Sequence, residues 1–116
     1  MKCIIAGSRH ICDYDTVAAA ISNSGFADEI TEIVCGEARG VDYSGSCWGE
    51  SRGLPIARFP ADWYKRGLAA GPIRNEQMAR YADALILVWD GKSKGSANML
   101  KNAKQHGLRI YEHIVE

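Results

Sequence analysis

The chain has 116 residues, 47% of them apolar and 24% charged, which is enough to bury a core without disulfides or a structural metal. Its 14 basic and 14 acidic residues cancel. That balance weighs against a protein built mainly to grip nucleic acid, because neutralising phosphates supplies most of that affinity. The four cysteines, Cys3, Cys12, Cys35 and Cys47, follow no zinc spacing and read as reduced thiols of a cytoplasmic chain. No apolar run is long enough for a signal peptide or a bilayer span, so no membrane partner is expected.

In chain order, short β-rich runs alternate with helical patterns. Lys2–Gly7 (KCIIAG) reads as a buried strand ending in glycine. Asp13–Gly25 follows as a helix with Val17, Ala20, Ile21 and Ser24 on one face, Asp13 or Asp15 as its cap and Gly25 as its stop. Glu32–Gly36 is a second strand, and Val41–Gly53 is a helix carrying Trp48 and several small residues. Leu54–Phe59 is a third strand, and 60–71 (PADWYKRGLAAG) reads as a loop. Pro72–Ala82 starts with proline in its first turn and places Met78, Ala79 and Ala82 together. Ala84–Trp89 (ALILVW) is the most hydrophobic run and the expected central strand. Ser96–His106, with Met99, Leu100 and Ala103, and the strand Arg109–Val115 complete the pattern.

Strand alternating with helix, without hairpin signals, predicts a small doubly wound, mainly parallel five-stranded sheet with helices on both faces. That is a Rossmann-like α/β fold in a single domain over residues 1–116. In such a sheet, ligands bind beyond the carboxyl ends of the strands, where the strand order reverses. The loops expected there are Gly7-Ser8-Arg9, Gly36 to Asp42, Pro60 to Trp63 with Gly71 to Asn75, and Asp90 to Ser96. Each combines glycine or a tight turn with charged or hydroxyl residues, whereas the opposite loops are plainer. Glycines allow close backbone approach, and a following helix offers unpaired amides to an anion.

Gly91–Ser96 (GKSKGS), rich in glycine, lysine and hydroxyls directly before a helix, is the strongest phosphate-binding segment. It lacks the GxxxxGK[ST] order, and Gly7-Ser8-Arg9 does not complete GxGxxG. Each residue also has a plainer reading. Ser96 is either a helix N-cap or a ligand, and Asp42 reads first as the cap of the second helix. Arg9, Arg39 and Arg74 can pair with acids such as Glu37 or Asp62. Trp48 and Trp89 read as core, while Trp63, in a loop beside Asp62, can stack on a base. His10 reads as a surface histidine, and His106 and His113 lie far from the site edge. Glu37 is expected to hold Arg39 in place.

The motifs GSR, GEARGVD, FPADW, AGPIRNEQM and ADALILVWDGKSKGS occur in this order from about Lys2 to Gly107. The chain thereby resembles the small phage and bacterial DUF2493 proteins of the SLOG superfamily, Rossmann-like proteins related to DprA and the LOG phosphoribohydrolases. The resemblance implies a pocket for a nucleotide or nucleotide-derived molecule, carried by Gly7, Ser8, Arg9, Gly36, Arg39, Gly40, Asp42, Arg74, Asn75, Gly95 and Ser96. Asp62, Trp63, Asp90 and Ser93 join them from the loop reading. No metal site and no cofactor is expected.

LOG-type enzymes resemble this chain up to the PGGxGTxxE motif that ends in their catalytic glutamate. Here the segment SKGSANML brings Asn98 or Met99 to that region, and an amide cannot take a proton as a carboxylate does. The leading expectation is therefore a module that senses or sequesters a nucleotide-derived molecule. The alternative is an N-glycosidic hydrolase or transferase on nucleoside monophosphates, with Glu37 or Asp42 as the acid–base group. A third reading, single-stranded DNA binding as in DprA, is disfavoured by the zero net charge. Helix-mediated pairing into a homo-oligomer is expected to be compatible with this architecture.

Overall fold

The computed structural model describes residues 1–115. Five strands, β1 (Lys2–Gly7), β2 (Glu32–Cys35), β3 (Ile56–Arg58), β4 (Ala84–Trp89) and β5 (Arg109–Ile114), form one sheet in the order β3-β2-β1-β4-β5. Every pairing is parallel, with Cys3 opposite Ile33 on one side and Ala84 on the other. The connecting helices are α1 (Tyr14–Asn23), α2 (Val41–Ser51), α3 (Trp63–Arg66), α4 (Ala70–Tyr81) and α5 (Lys94–Gln105).

Alternate residues of the central strands supply two cores, because neighbouring side chains of a strand point to opposite faces. Ile5, Ile33, Ile86 and Val88 meet Val17 and Ile21 of α1 and Val41 and Trp48 of α2. Ile4, Val34, Leu85 and Leu87 meet Met78 and Ala79 of α4 and Met99 and Ala103 of α5. β4 is buried at all six positions, as expected of a central strand covered on both faces. The helix α2 lies unusually close to the sheet: a Cβ on Gly45 would fall 2.5 Å from Ile5 Cβ and Cγ2. The small residues of that helix are thus a packing requirement.

The expected α/β architecture holds, with three local corrections. The stretch 60–71 is not a plain loop, since Asp62 caps the four-residue α3 by accepting from the Lys65 amide at 3.0 Å. A 3-10 turn over Gly67–Ala69 leads straight into α4, which starts at Ala70 rather than Pro72. The helix α5 starts at Lys94, because Ser93 and not Ser96 occupies the cap and accepts from the Ser96 amide. Asp13 caps α1 as expected. All four cysteines are free; Cys3 and Cys35 are buried, and burial pushes the Cys3 thiol up to about 12.

Strand order turns between β1 and β4: the chain moves outward from β1 to β3 on one side, then from β4 to β5 on the other. A crevice is expected at that reversal, beyond the carboxyl ends of β1 and β4.

Candidate functional site

A cavity of about 550 Å³ occupies this crevice, within the size range of small-molecule sites. Gly7 at the end of β1 with Ser8 and Arg9 after it, and Ser93, Gly95 and Ser96 around the start of α5, form two of its sides. Asp42 of α2, Trp63 of α3, and Arg74 and Asn75 of α4 line the rest of its polar wall. Leu68, Pro72, Met78 and Met99 contribute apolar surface. The sequence-selected residues Gly36, Glu37, Arg39, Gly40, Asp62 and Asp90 do not line it; they stand behind or beside the lining.

Two hydrogen bonds bring these sides together. The Ser8 amide donates to the Val88 carbonyl at 3.1 Å, and the Asp90 amide donates to Ser8 Oγ at 3.2 Å. Asp90 then shapes the phosphate-type loop, with Oδ1 accepting from the Lys92 amide at 2.8 Å and the Ser93 amide at 2.9 Å. Those two amides hold the Asp90 carboxyl below its ordinary value. Its other oxygen faces His10 Nε2 at 3.8 Å, so His10, read as a plain surface residue, stands at the cavity mouth.

The first amides of a helix lack intrahelical acceptors and carry the positive end of its dipole. In α5 the Ser96 amide is taken by Ser93 Oγ at 3.4 Å, and Lys94 and Gly95, the first two residues of the helix, line the cavity. Ser96 itself is only 4% exposed, and its hydroxyl has no hydrogen-bond partner among the described residues. Buried polar groups are normally satisfied, so an orphan hydroxyl at a helix start inside a cavity points to a missing acceptor or donor.

The floor is built around Gly36. Its amide donates to Asp42 Oδ2 at 3.2 Å, and its carbonyl accepts from Arg74 Nη1. A Cβ there would lie 2.2 Å from Arg74 Nη1 and 3.0 Å from Asp42 Oδ2, so only glycine lets both side chains reach the β2 loop. Asp42 was expected to cap α2, but Gly40, at φ 75, holds that position, and the carboxylate turns back to the loop. Burial raises the pKa of Asp42, against the pull of Arg74 and of the Gly36, Ala38 and Gly7 amides. Burial likewise lowers that of Arg74, with Asp42 opposing.

The expected ion pairs fall elsewhere. Glu37, at φ 60, lies 3.9 Å from Arg58 Nε rather than against Arg39. Arg9 sits over the Trp63 ring, its guanidinium carbon 5.8 Å from the centroid, within cation–π reach. Trp63 is 48% exposed, unlike Trp48 and Trp89, which are core residues as expected. Among the described residues no group of three His, Cys, Asp or Glu side chains could hold a metal ion, and no helix is long and apolar enough to cross a membrane.

Sequence reasoning placed Asn98 only as an amide in the region of a catalytic acid, and it missed Asn102 and the hydrogen bonds that join the two to Asn75. Asn75 Nδ2 donates to Asn98 Oδ1 at 3.0 Å, and Asn102 Nδ2 donates to the same oxygen at 3.1 Å. The signal for Asn102 was its i, i+4 spacing from Asn98 on one helix face.

A parallel five-stranded sheet with a ligand-sized crevice at the reversal of strand order defines a Rossmann-like protein. The family model described as the YspA, cpYpsA-related SLOG family matches residues 1–65, and the chain belongs to that family. The match bears out the SLOG resemblance without naming DUF2493, and it spans the GSR, GEARGVD and FPADW motifs. Comparisons with curated proteins and with solved structures find no match. Membership points to a nucleotide-related role, in binding or in glycosidic-bond chemistry.

Proposed function

We propose that the cavity binds a nucleotide or nucleotide-derived molecule, as a sensor or a sequestering protein. The observation that carries this reading is the buried, unpartnered hydroxyl of Ser96 in the first turn of α5. A phosphate seated there accepts from the Lys94 and Gly95 amides, with the Lys94 ammonium beside it, and a turn of the buried Ser96 side chain brings its hydroxyl to the same anion. Arg9 and Trp63 supply a cationic and aromatic surface suited to a base.

The enzyme reading narrows to one residue. Asp42 is the single carboxylate lining the cavity among the described residues, since Glu37 lies outside it and faces Arg58. Amides and a guanidinium surround Asp42, which suits a fixed acceptor better than a mobile proton carrier. Binding without turnover is therefore the favoured function.

The test is calorimetric titration of ligand-stripped protein with AMP, ribose 5-phosphate and inorganic phosphate, repeated on Ser96→Ala. The variant is expected to be as stable as the parent or slightly more so, because it loses an unsatisfied buried hydroxyl. Its affinity for a phosphorylated probe is expected to fall about tenfold, the effect of one hydrogen bond to a charged group. Absence of saturable binding to any probe sinks the reading, and release of free base from AMP moves the assignment to the enzyme.

A further inference from the structure

An arginine side chain can only donate hydrogen bonds, which fixes the orientation of whatever it touches. Arg74 Nε donates to Asn75 Oδ1 at 3.1 Å. The Asn75 amide is thereby set with its nitrogen on the far side, where Nδ2 reaches Asn98 Oδ1 at 3.0 Å and the Gly95 carbonyl at 3.3 Å. Asn102 approaches from the next turn of α5. Its Nδ2 lies 3.0 Å from the Asn98 carbonyl and 3.1 Å from Asn98 Oδ1. A backbone oxygen only accepts, so Asn102 is oriented independently of the arginine.

Asn98 Oδ1 therefore receives two N–H groups and has no acceptor capacity left. Turning the Asn98 amide over would set its NH2 against two donors. Its nitrogen is left free of any acceptor among the described residues, and the half-buried Asn98 lines the cavity one turn beyond the start of α5.

We infer that Asn98 is a specificity-determining contact, whose Nδ2 donates to a ligand oxygen that has no proton to give. Phosphate, carboxylate and carbonyl oxygens fit; an amine or ammonium at that point does not. The ladder Arg74–Asn75–Asn98–Asn102 works as an orientation relay, holding the amide in its donor setting. This inference rests on the nucleotide reading and names the kind of atom that the cavity reads at this position.

The ladder is tested first without ligand. In Asn98→Asp the introduced carboxylate faces two N–H donors, and carbon NMR is expected to find it titrating below the ordinary carboxylate value of about 4. Titration at or above that value means the amides are oriented the other way and overturns the inference. AMP is then titrated into the parent, Asn98→Ala and Asn98→Asp. Asn98→Ala is expected to bind about threefold to tenfold more weakly, and Asn98→Asp more than about tenfold, since it replaces a donor by a negative charge. Affinities within twofold of the parent overturn the contact. Should Asn98→Asp not fold, the Asn98 side-chain NH2 resonances of the parent decide, because they must shift on adding AMP. If the parent binds none of the phosphorylated probes, the nucleotide reading fails and the contact falls with it, while the carboxylate titration still reports the ladder.

Discussion

The two edges of the sheet treat their cations differently. At the amino edge several charges are answered by side chains. Arg109 lies 3.0 Å from Glu29 and over the Phe26 ring, Lys2 sits over Tyr81, and the Tyr81 hydroxyl donates to Glu32. The Lys2 amide reaches Asp83 Oδ2 at 2.8 Å. At the carboxyl edge no carboxylate lies within 4.0 Å of Arg9, Arg39, Arg74, Lys92 or Lys94 among the described residues. Its aspartates are held by backbone amides instead, as Asp62, Asp90 and Asp42 are, while Glu37 pairs with Arg58 at the end of β3. One edge closes the fold, and the other leaves these five cations without a carboxylate at ion-pair distance. A net charge of zero over the whole chain conceals this asymmetry.

Substitutions at the two edges sharpen the contrast, and the largest effect is expected at Arg74. Arg74→Met removes the two bonds of a buried guanidinium, to Gly36 and Asn75, each worth about 1.5–3 kcal/mol, so the expected cost in urea unfolding is about 3–5 kcal/mol. A loss below 1 kcal/mol would mean that the floor is not held by this residue. Next comes Gly36→Ala, whose methyl must displace the guanidinium and is expected to cost about 1–3 kcal/mol. An unchanged urea midpoint would place Arg74 elsewhere in solution.

The two aspartates of this edge make opposite contributions to stability with pH. The folded pKa of Asp42 is raised above 3.8, so its contribution is full below 3.8 and is lost as pH rises through the folded value. The folded pKa of Asp90 is lowered, so its contribution is present above 3.8 and is lost as pH falls through the folded value. Carbon-detected titration should place the two midpoints on opposite sides of the ordinary carboxylate value. The same order in the unfolded chain would remove the structural explanation. The smallest effect is expected at the amino edge: Arg109→Ala breaks an exposed pair and should cost about 0.2–1 kcal/mol in the same unfolding assay.

Much of this was legible in the sequence, where glycine and hydrophobic runs marked the elements. β1 and β4 fall on their expected bounds, and the cavity takes its lining from part of each expected loop, with Gly36, Glu37, Arg39, Gly40, Asp62 and Asp90 outside it. The failures have local causes. Gly71 read as a boundary, yet it lies within α4, where a Cβ would stand 3.3 Å from the Trp63 ring. Ser93 and Ser96 are both capping residues by type, and which one caps depends on where the helix begins. The asparagine ladder was hidden because Asn75 and Asn98 are distant in sequence and meet only when α4 packs on α5. Arg58 took Glu37 for the same reason, through the β2–β3 pairing.

The placing of the three tryptophans gives the molecule a built-in optical reporter. Trp48 and Trp89 are 4% and 7% exposed, and Trp63 alone stands in contact with both solvent and the cavity. A dissolved quencher such as iodide or acrylamide therefore reaches one indole and spares two. Occupancy of the crevice can be followed as shielding of that one emission component, on unlabelled protein, without substituting any residue.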